Sequence, residues 1–146
     1  MNSWPVFEQD EIDAVTRVLR SGKVNYWTGD EGLAFEQEFA QAMDSRYAIA
    51  LANGTLALDI ALAALQLPAG AEVVVTPRTF VASVSTVLRA NLVPVCADVD
   101  LDSGNITAAS IAAVITANTR AILCVHLGGW PCDMQAIMQL ANVHDL

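Results

Sequence analysis

From residue 47 onward, apolar strand-like runs alternate with runs of helical periodicity, and this alternation is what most constrains the fold. Strands are predicted at 47–52, 72–76, 93–97 and 120–125, and helices after Asn53-Gly54-Thr55 as far as Leu67 and at 79–90, 106–117 and 133–143. Strands separated by single helices are typical of a mainly parallel sheet with helices packed against it. The sequence therefore predicts an α/β fold, in which a ligand binds where the carboxyl ends of the strands meet.

The first 45 residues follow a different pattern. Two helices are predicted, at 8–19 and 33–43, and residues 23–32 between them form a polar loop with aromatic residues and glycines. We therefore expect two parts: residues 1–45 as an N-terminal helical segment, and residues 46–146 as the first part of an α/β domain. Because the alternation calls for another strand after the last helix, we expect the sequence to be a C-terminally truncated piece of a longer protein.

Composition and charge restrict the class of protein. Apolar residues make up 54 % and the mean hydropathy is +0.43, yet no uninterrupted apolar run reaches the ~18 residues that span a membrane. We attribute the hydropathy to parallel strands buried on both faces. The N-terminus lacks the features of a signal peptide, so we expect a cytoplasmic protein that does not bind membranes. The net charge is −9, and the seven Lys and Arg residues are scattered, so a nucleic-acid partner is not expected.

The three cysteines are expected to be structural. Cys96 and Cys124 lie in apolar strand-like runs and are predicted to be core thiols, and Cys132 is also expected to have a structural role. No CxxC pair or Cys/His spacing typical of a zinc site occurs, so no metal is expected.

Two candidate sites lie where a predicted strand ends and a helix begins. At the first, Gly54 and Thr55 could bind a phosphate, because the N-terminus of a helix offers unpaired N–H groups and the positive end of its dipole. The alternative is an ordinary capped helix start. At the second, Phe80 could stack on a planar cofactor, or it could simply enter the core.

Two further candidates lie in loops. His126 follows the last predicted strand and could reach the same crevice. The alternative is a histidine that hydrogen-bonds to loop backbone. Trp27, Thr28 and Gly32 lie in the N-terminal loop, where they could contact a ligand or a partner subunit. The alternative is that Trp27 fills a hydrophobic gap.

The order of the motifs is more informative than any one of them. The chain carries, in succession, Trp-Thr-x-x-x-Gly, Asn-Gly-Thr-x-Ala-Leu, Thr-Phe-Val-Ala-Ser, Pro-Val-x-x-Asp-Val-Asp, Thr-Arg-Ala-Ile and Val-His-Leu-x-Gly. This series resembles the sugar aminotransferases of the DegT/DnrJ/StrS family, which are fold-type I pyridoxal 5'-phosphate (PLP) enzymes. The resemblance extends from Pro5 to about Leu146 and is most specific at 53–58 and 93–100.

The resemblance implies a role for each candidate residue. Gly54 and Thr55 correspond to the pair that binds the PLP phosphate, and Phe80 to the aromatic residue that stacks on the pyridine ring. His126 lies on the loop that approaches the cofactor. Trp27, Thr28 and Gly32, which belong to the loop at 23–32, would lie near the active site and face the substrate or the dimer partner.

The resemblance also implies an activity. Such an enzyme uses PLP to move an amino group from glutamate to a keto-sugar linked to a nucleotide, in the biosynthesis of lipopolysaccharide, other cell-surface polysaccharides or antibiotic sugars. A homodimer is implied as well. The N-terminal aromatic residues Trp4, Phe7, Tyr26 and Trp27 are compatible with its interface or with a core.

The family's covalent PLP lysine has no match among these residues. Lys23 is the one lysine in the sequence and lies in the N-terminal loop, whereas the family's lysine follows well after the Val-His-Leu-x-Gly motif. The family's aspartate for the pyridine nitrogen is expected beyond residue 146, and the context of Asp145 does not match it. We therefore expect no catalytic residue in this sequence, and residues 1–146 alone should be inactive.

Three alternatives stay open at this point. A dehydratase of the same family would carry histidine in place of that lysine. A non-catalytic protein could retain the fold for binding or assembly. A generic nucleotide-binding α/β domain fits less well, because neither GxGxxG nor GxxxxGK[ST] is present.

Overall fold

The computed structural model describes residues 4–146. The chain divides into two compact units, Met1–Ala50 and Leu51–Leu146. Each unit is described by itself below.

The N-terminal unit contains two helices, α1 (Gln9–Ser21) and α2 (Glu31–Ala42). A capping box formed by Glu8 and Glu11 begins α1, and Gly22 ends it with a φ of 72°. A left-handed residue at this position is common at helix C-termini because glycine adopts it without steric cost. Both predicted helices are confirmed, with small shifts of their ends.

The predicted strand at 47–52 is wrong. These residues form no regular element, and the side chains of Tyr47 and Ile49 are 78 % and 76 % exposed. A strand needs a neighbour to pair its backbone groups, whereas here side chains take that role. The N–H of Ala50 donates to Glu36 Oε1 at 2.8 Å, and the carbonyl of Tyr47 accepts from the Ser45 hydroxyl at 3.2 Å.

The second unit has the predicted α/β alternation. Its elements are α3 (Gly54–Ala64), β1 (Glu72–Val75), α4 (Ala82–Arg89), β2 (Val93–Cys96), α5 (Ala108–Ala112), β3 (Thr119–Leu123), a 3-10 turn (Leu127–Gly129) and α6 (Met134–His144). The three strands are parallel and lie in the order β2-β1-β3. The α/β fold class is therefore confirmed.

The central strand β1 explains the high hydropathy. Val73, Val74 and Val75 are all fully buried, because helices cover both faces of the sheet. Successive side chains of a strand point to opposite faces. Val73 and Val75 pack with residues of α3 and α4, and Val74 packs with residues of α5 and α6. Within residues 4–146, no helix combines the length and apolarity that crossing a bilayer requires.

The helix predicted at 106–117 is much shorter than expected. Only Ala108–Ala112 is helical, and it begins with a capping box formed by Thr107 and Ser110. The β-branched residues that follow disfavour a helix, and Thr116 bonds to side chains instead. Its N–H donates to the hydroxyl of Thr119 at 2.9 Å.

The cysteines differ in their environments. Cys132 is buried and Cys124 is half-buried, as expected of core thiols, but Cys96 is exposed. The prediction for Cys96 is therefore wrong. Cys96 is exposed because it is the last residue of β2, which is an edge strand of the three-stranded sheet.

This difference predicts the order in which the thiols react. Burial, together with a smaller effect of neighbouring Cys132, raises the pKa of Cys124 to about 11. At about pH 8 roughly one Cys124 in a thousand is then a thiolate, which is the reactive form. We expect iodoacetamide to label Cys96 first in the native protein and Cys124 only slowly, as measured by peptide mass spectrometry.

The same shift sets a pH dependence. Because the folded pKa lies above the unfolded value of about 9, the stability linked to this thiol is fully present below about pH 9 and is lost as the pH rises towards 11. Equal labelling of Cys124 and Cys96 in the native protein would contradict this account.

Candidate functional site

The start of α3 offers two backbone N–H groups to a ligand. Asn53 caps the helix: its backbone is extended, and its side chain accepts from the N–H of Leu56 at 3.0 Å. The N–H groups of Gly54 and Thr55 lie in the first turn, where no earlier carbonyl can pair with them. Gly54 is exposed, and a Cβ built on it would contact nothing within 4 Å. The cap interpretation and the anion interpretation are thus compatible, because the cap uses a different N–H.

Phe80 is not a core residue. Its side chain is 73 % exposed, just after β1 and before α4. The core on this side is filled instead by aliphatic residues, among them Leu62 and Val87. The alternative that Phe80 enters the core is therefore wrong, and its ring is available to a ligand.

His126 is exposed at the end of the segment that follows β3. Its Nδ1 accepts a hydrogen bond from the backbone N–H of Cys132 at 3.1 Å. A backbone N–H can only donate, so Nδ1 carries a lone pair and the hydrogen of the neutral ring lies on Nε2. The loop-backbone contact considered from the sequence is thus present, and it leaves Nε2–H for a ligand.

The sheet directs Phe80 and His126 towards one edge. Val75 of β1 pairs with Leu123 of β3, and each candidate follows its strand by a few residues at the carboxyl end. Gly54 and Thr55 belong to the same unit, because α3 packs on α4 through a shared core. An ion pair between Arg89 and Asp59, at 3.1 Å, also joins these helices.

The turn after β2 contains a residue that the sequence did not single out. Asn105 is 3 % exposed, and its side chain hydrogen-bonds to Leu127 and Trp130 in the loop after β3. Asp100 shapes this turn, because its carboxylate accepts from the N–H and the hydroxyl of Ser103, which lowers its pKa. The composition of the turn signals its presence, but no sequence pattern distinguishes a buried asparagine from an exposed one.

The candidates in the N-terminal unit lie in a loop with a well-defined turn. Asn25 Oδ1 accepts from the N–H groups of Trp27 and Thr28, at 3.0 and 3.1 Å, and from the Thr28 hydroxyl. Trp27 is 91 % exposed, so the alternative that it fills a hydrophobic gap is wrong. Gly32 lies against the ring of Tyr26, where a Cβ would come within 2.9 Å.

Glu36 is a second residue missed from the sequence. Its Oε2 accepts from the Tyr26 hydroxyl at 3.2 Å, while Oε1 accepts from the N–H of Ala50. Partial burial and the Glu36 carboxylate raise the pKa of Tyr26. One carboxylate thereby links the loop and the segment 47–50 to α2.

The fold and the site define a class of α/β protein with a parallel sheet, N–H groups available at the start of α3 and an exposed aromatic ring between β1 and α4. Residues 5–146 match the DegT/DnrJ/EryC1/StrS aminotransferase family. The chain belongs to this family.

Relatives of known name and structure agree. The spore coat polysaccharide biosynthesis protein SpsC of Bacillus subtilis is 37 % identical over 99 % of the chain. The crystal structure of an aminotransferase from Psychrobacter cryohalolentis is 61 % identical over 99 % of the chain, with a TM-score of 0.96. The structure of NtdA from Bacillus subtilis with the bound cofactor PMP is 35 % identical over 96 % of the chain, with a TM-score of 0.88.

The chain spans about a third of these proteins: 36 % of SpsC, 37 % of the Psychrobacter chain and 33 % of NtdA. The resemblance found in the sequence is thereby confirmed at the level of the family.

Proposed function

We propose that the protein carrying this chain is a PLP-dependent aminotransferase that moves an amino group from glutamate to a keto-sugar linked to a nucleotide. The observation that carries the proposal is the pair of N–H groups at the start of α3, in the same unit as the exposed ring of Phe80. Membership of an aminotransferase family supports the reaction class. The PMP-bound relative supports the cofactor.

The residues fit the phosphate of PLP. Gly54 and Thr55 would bind it with their N–H groups, and the Thr55 hydroxyl can add a third donor. The space above Gly54 is open, so a phosphate oxygen can come close to the backbone. The positive end of the α3 dipole favours the dianion at the same place.

The residues also fit the ring of PLP. Phe80 would cover one face of the pyridine, since its own ring is exposed rather than packed. His126 would offer Nε2–H, because Nδ1 is already paired with the backbone. PLP itself supplies the electron sink for bond cleavage at the amino carbon.

The N-terminal loop is proposed to contact the sugar or the dimer partner through Trp27, Thr28 and Gly32. An exposed indole beside a rigid turn suits stacking on a sugar ring. The family and the polysaccharide role in the name of SpsC support this substrate class.

A homodimer is proposed for the whole protein. The N-terminal unit exposes Trp4, Phe7 and Trp27 at 92 %, 65 % and 91 %, together with Tyr26 at 47 %. Exposed aromatic residues of this kind are enriched at protein interfaces. The mass of the intact protein in solution tests this proposal.

Residues 1–146 alone are proposed to lack transaminase activity, because Lys23 lies outside any motif of the PLP site. We expect the intact protein with PLP to convert glutamate to 2-oxoglutarate in the presence of a nucleotide-linked keto-sugar, and residues 1–146 to give no product. Coupled measurement of 2-oxoglutarate tests both parts. Turnover by residues 1–146 would disprove the need for a lysine outside these residues. An intact protein that binds PLP without turnover would favour a non-catalytic function.

A further inference from the structure

Asn105 is a buried polar residue whose side chain uses both of its groups. Its Nδ2 donates to the carbonyl of Trp130 at 2.8 Å, and its Oδ1 accepts from the N–H of Leu127 at 3.2 Å. A carbonyl only accepts and a backbone N–H only donates, so these partners fix the orientation of the amide. With 3 % of its surface exposed, Asn105 has little access to water as a substitute.

The two partners of Asn105 lie at the two ends of the 3-10 turn after β3: Leu127 is its first residue, and Trp130 follows its last. Within it, Gly128 and Gly129 have φ values of 61° and 85°. Glycine reaches this region without steric cost but also leaves it easily. The side chain of Asn105 therefore holds both ends of a segment that is itself flexible in composition.

The main chain of Asn105 is itself held by hydrogen bonds within the turn after β2. Its carbonyl accepts from the N–H of Asp100 at 2.9 Å, and its N–H donates to the Ser103 hydroxyl at 3.3 Å. The preceding Gly104 has a φ of 70° and lies against the guanidinium of Arg78, where a Cβ would overlap. The turns after β1 and β2 thus touch each other at Gly104, and Asn105 extends this contact to the loop after β3.

His126 immediately precedes the segment that Asn105 holds. Its ring is fixed from the other side, where Nδ1 accepts from the N–H of Cys132. The Cys132 thiol is buried and donates to the carbonyl of Val125 at 3.3 Å. Losing Asn105 would remove the long-range hydrogen bonds to Leu127 and Trp130 and leave the segment between His126 and Cys132 with local hydrogen bonds only, so that the partner of Nδ1 is held less firmly.

We propose that Asn105 is a positioning residue that holds the imidazole of His126 in its Nε2–H form, with Nε2 available at the carboxyl edge of the sheet. This rests on the proposed function, because it concerns the orientation of a residue assigned there to the cofactor. Asn105 itself need not touch the cofactor. It acts through Leu127 and Trp130.

The test reads the ring directly, without any cofactor. Residues 1–146 contain two histidines, His126 and His144. In nitrogen-15 NMR of the histidine-labelled intact protein, the signals of each ring are assigned by their loss in His126→Gln and His144→Gln. At about pH 8, where an ordinary imidazole is neutral, wild-type His126 is expected to show the Nε2–H pattern. Asn105→Ala should reduce the difference between the nitrogen-15 chemical shifts of the two ring nitrogens of His126, because the two tautomers then mix. The chemical shifts of His144 should not change.

A control variant separates positioning from stability. Thr86 is fully buried in α4, the helix that packs on the Val73 and Val75 face of the sheet. Its hydroxyl donates to the carbonyl of Ala82 at 2.7 Å. Thr86→Val also removes a buried hydrogen bond, yet it should leave the His126 spectrum unchanged. Asn105→Asp keeps the acceptor for Leu127 and removes the donor to Trp130, so it gives an intermediate spectrum and replaces Asn105→Ala if that variant does not fold.

The same proteins are then titrated with PLP. Asn105→Ala should weaken binding by about fivefold, the worth of one net hydrogen bond, and Thr86→Val should not. The proposal is overturned if Asn105→Ala and Asn105→Asp leave the His126 spectrum as in wild type, or if Thr86→Val changes it equally. A wild-type protein that shows the expected spectra but binds no PLP would overturn the proposed function and leave the positioning of His126 intact.

Discussion

Gly54→Pro is expected to weaken PLP binding by about tenfold to a hundredfold without unfolding the protein. Proline removes the N–H of Gly54, and a hydrogen bond to a charged group is worth about 1.5–3 kcal/mol. The first position of a helix tolerates proline, because its N–H has no partner inside the helix. Asn53 already has the extended backbone that a residue before proline prefers, with φ −167° and ψ 168°.

Gly54→Ala is the matched control for this variant. It retains the N–H and adds a methyl group where the structure has no atom within 4 Å. Because this methyl group faces the space proposed for the phosphate, we expect Gly54→Ala to weaken PLP binding, but less than Gly54→Pro, which also loses the N–H. Equilibrium dialysis of the three proteins measures the difference, and equal binding by Gly54→Pro and wild type would show that the phosphate is held elsewhere.

Ile111→Ala is expected to destabilise the second unit by about 2–5 kcal/mol, the usual cost of truncating a buried isoleucine. Ile111 is fully buried and packs with Val74 on the α5 and α6 side of the sheet. Because a larger protein need not unfold in one step, amide hydrogen exchange of β1 is the appropriate measurement. Exchange there should be faster than in wild type.

Leu101→Ala is the control for Ile111→Ala. Leu101 is 97 % exposed, so its truncation should change stability by no more than about 0.5 kcal/mol. If both variants changed the exchange of β1 equally, the core would not be organised around Val74 as described.

The parallel sheet was predictable because its signals are local. The apolar run at 72–76 is too short for a helix and is bounded by turn residues. Asp133 at the start of α6 accepts from the N–H of Ala136, as its residue type predicts. The strand predicted at 47–52 is absent, because apolar residues favour a strand but cannot supply the neighbouring strand with which a strand must pair.

The candidate site was only partly predictable. Gly54 and Thr55 stand at the start of a helix, and Phe80 stands between a strand and a helix, where the sequence marks them by type and position. Asn105 could not be found this way, because its importance comes from contacts with residues more than twenty positions away. Long-range hydrogen bonds leave no periodic pattern in the sequence.

A crystal structure of the intact protein with PMP tests the central claim most directly. The account predicts phosphate oxygens within about 2.7–3.1 Å of the Gly54 and Thr55 nitrogens, with the ring of Phe80 stacked on the pyridine. A phosphate bound away from the start of α3, or a Phe80 ring turned away from the cofactor, would contradict it.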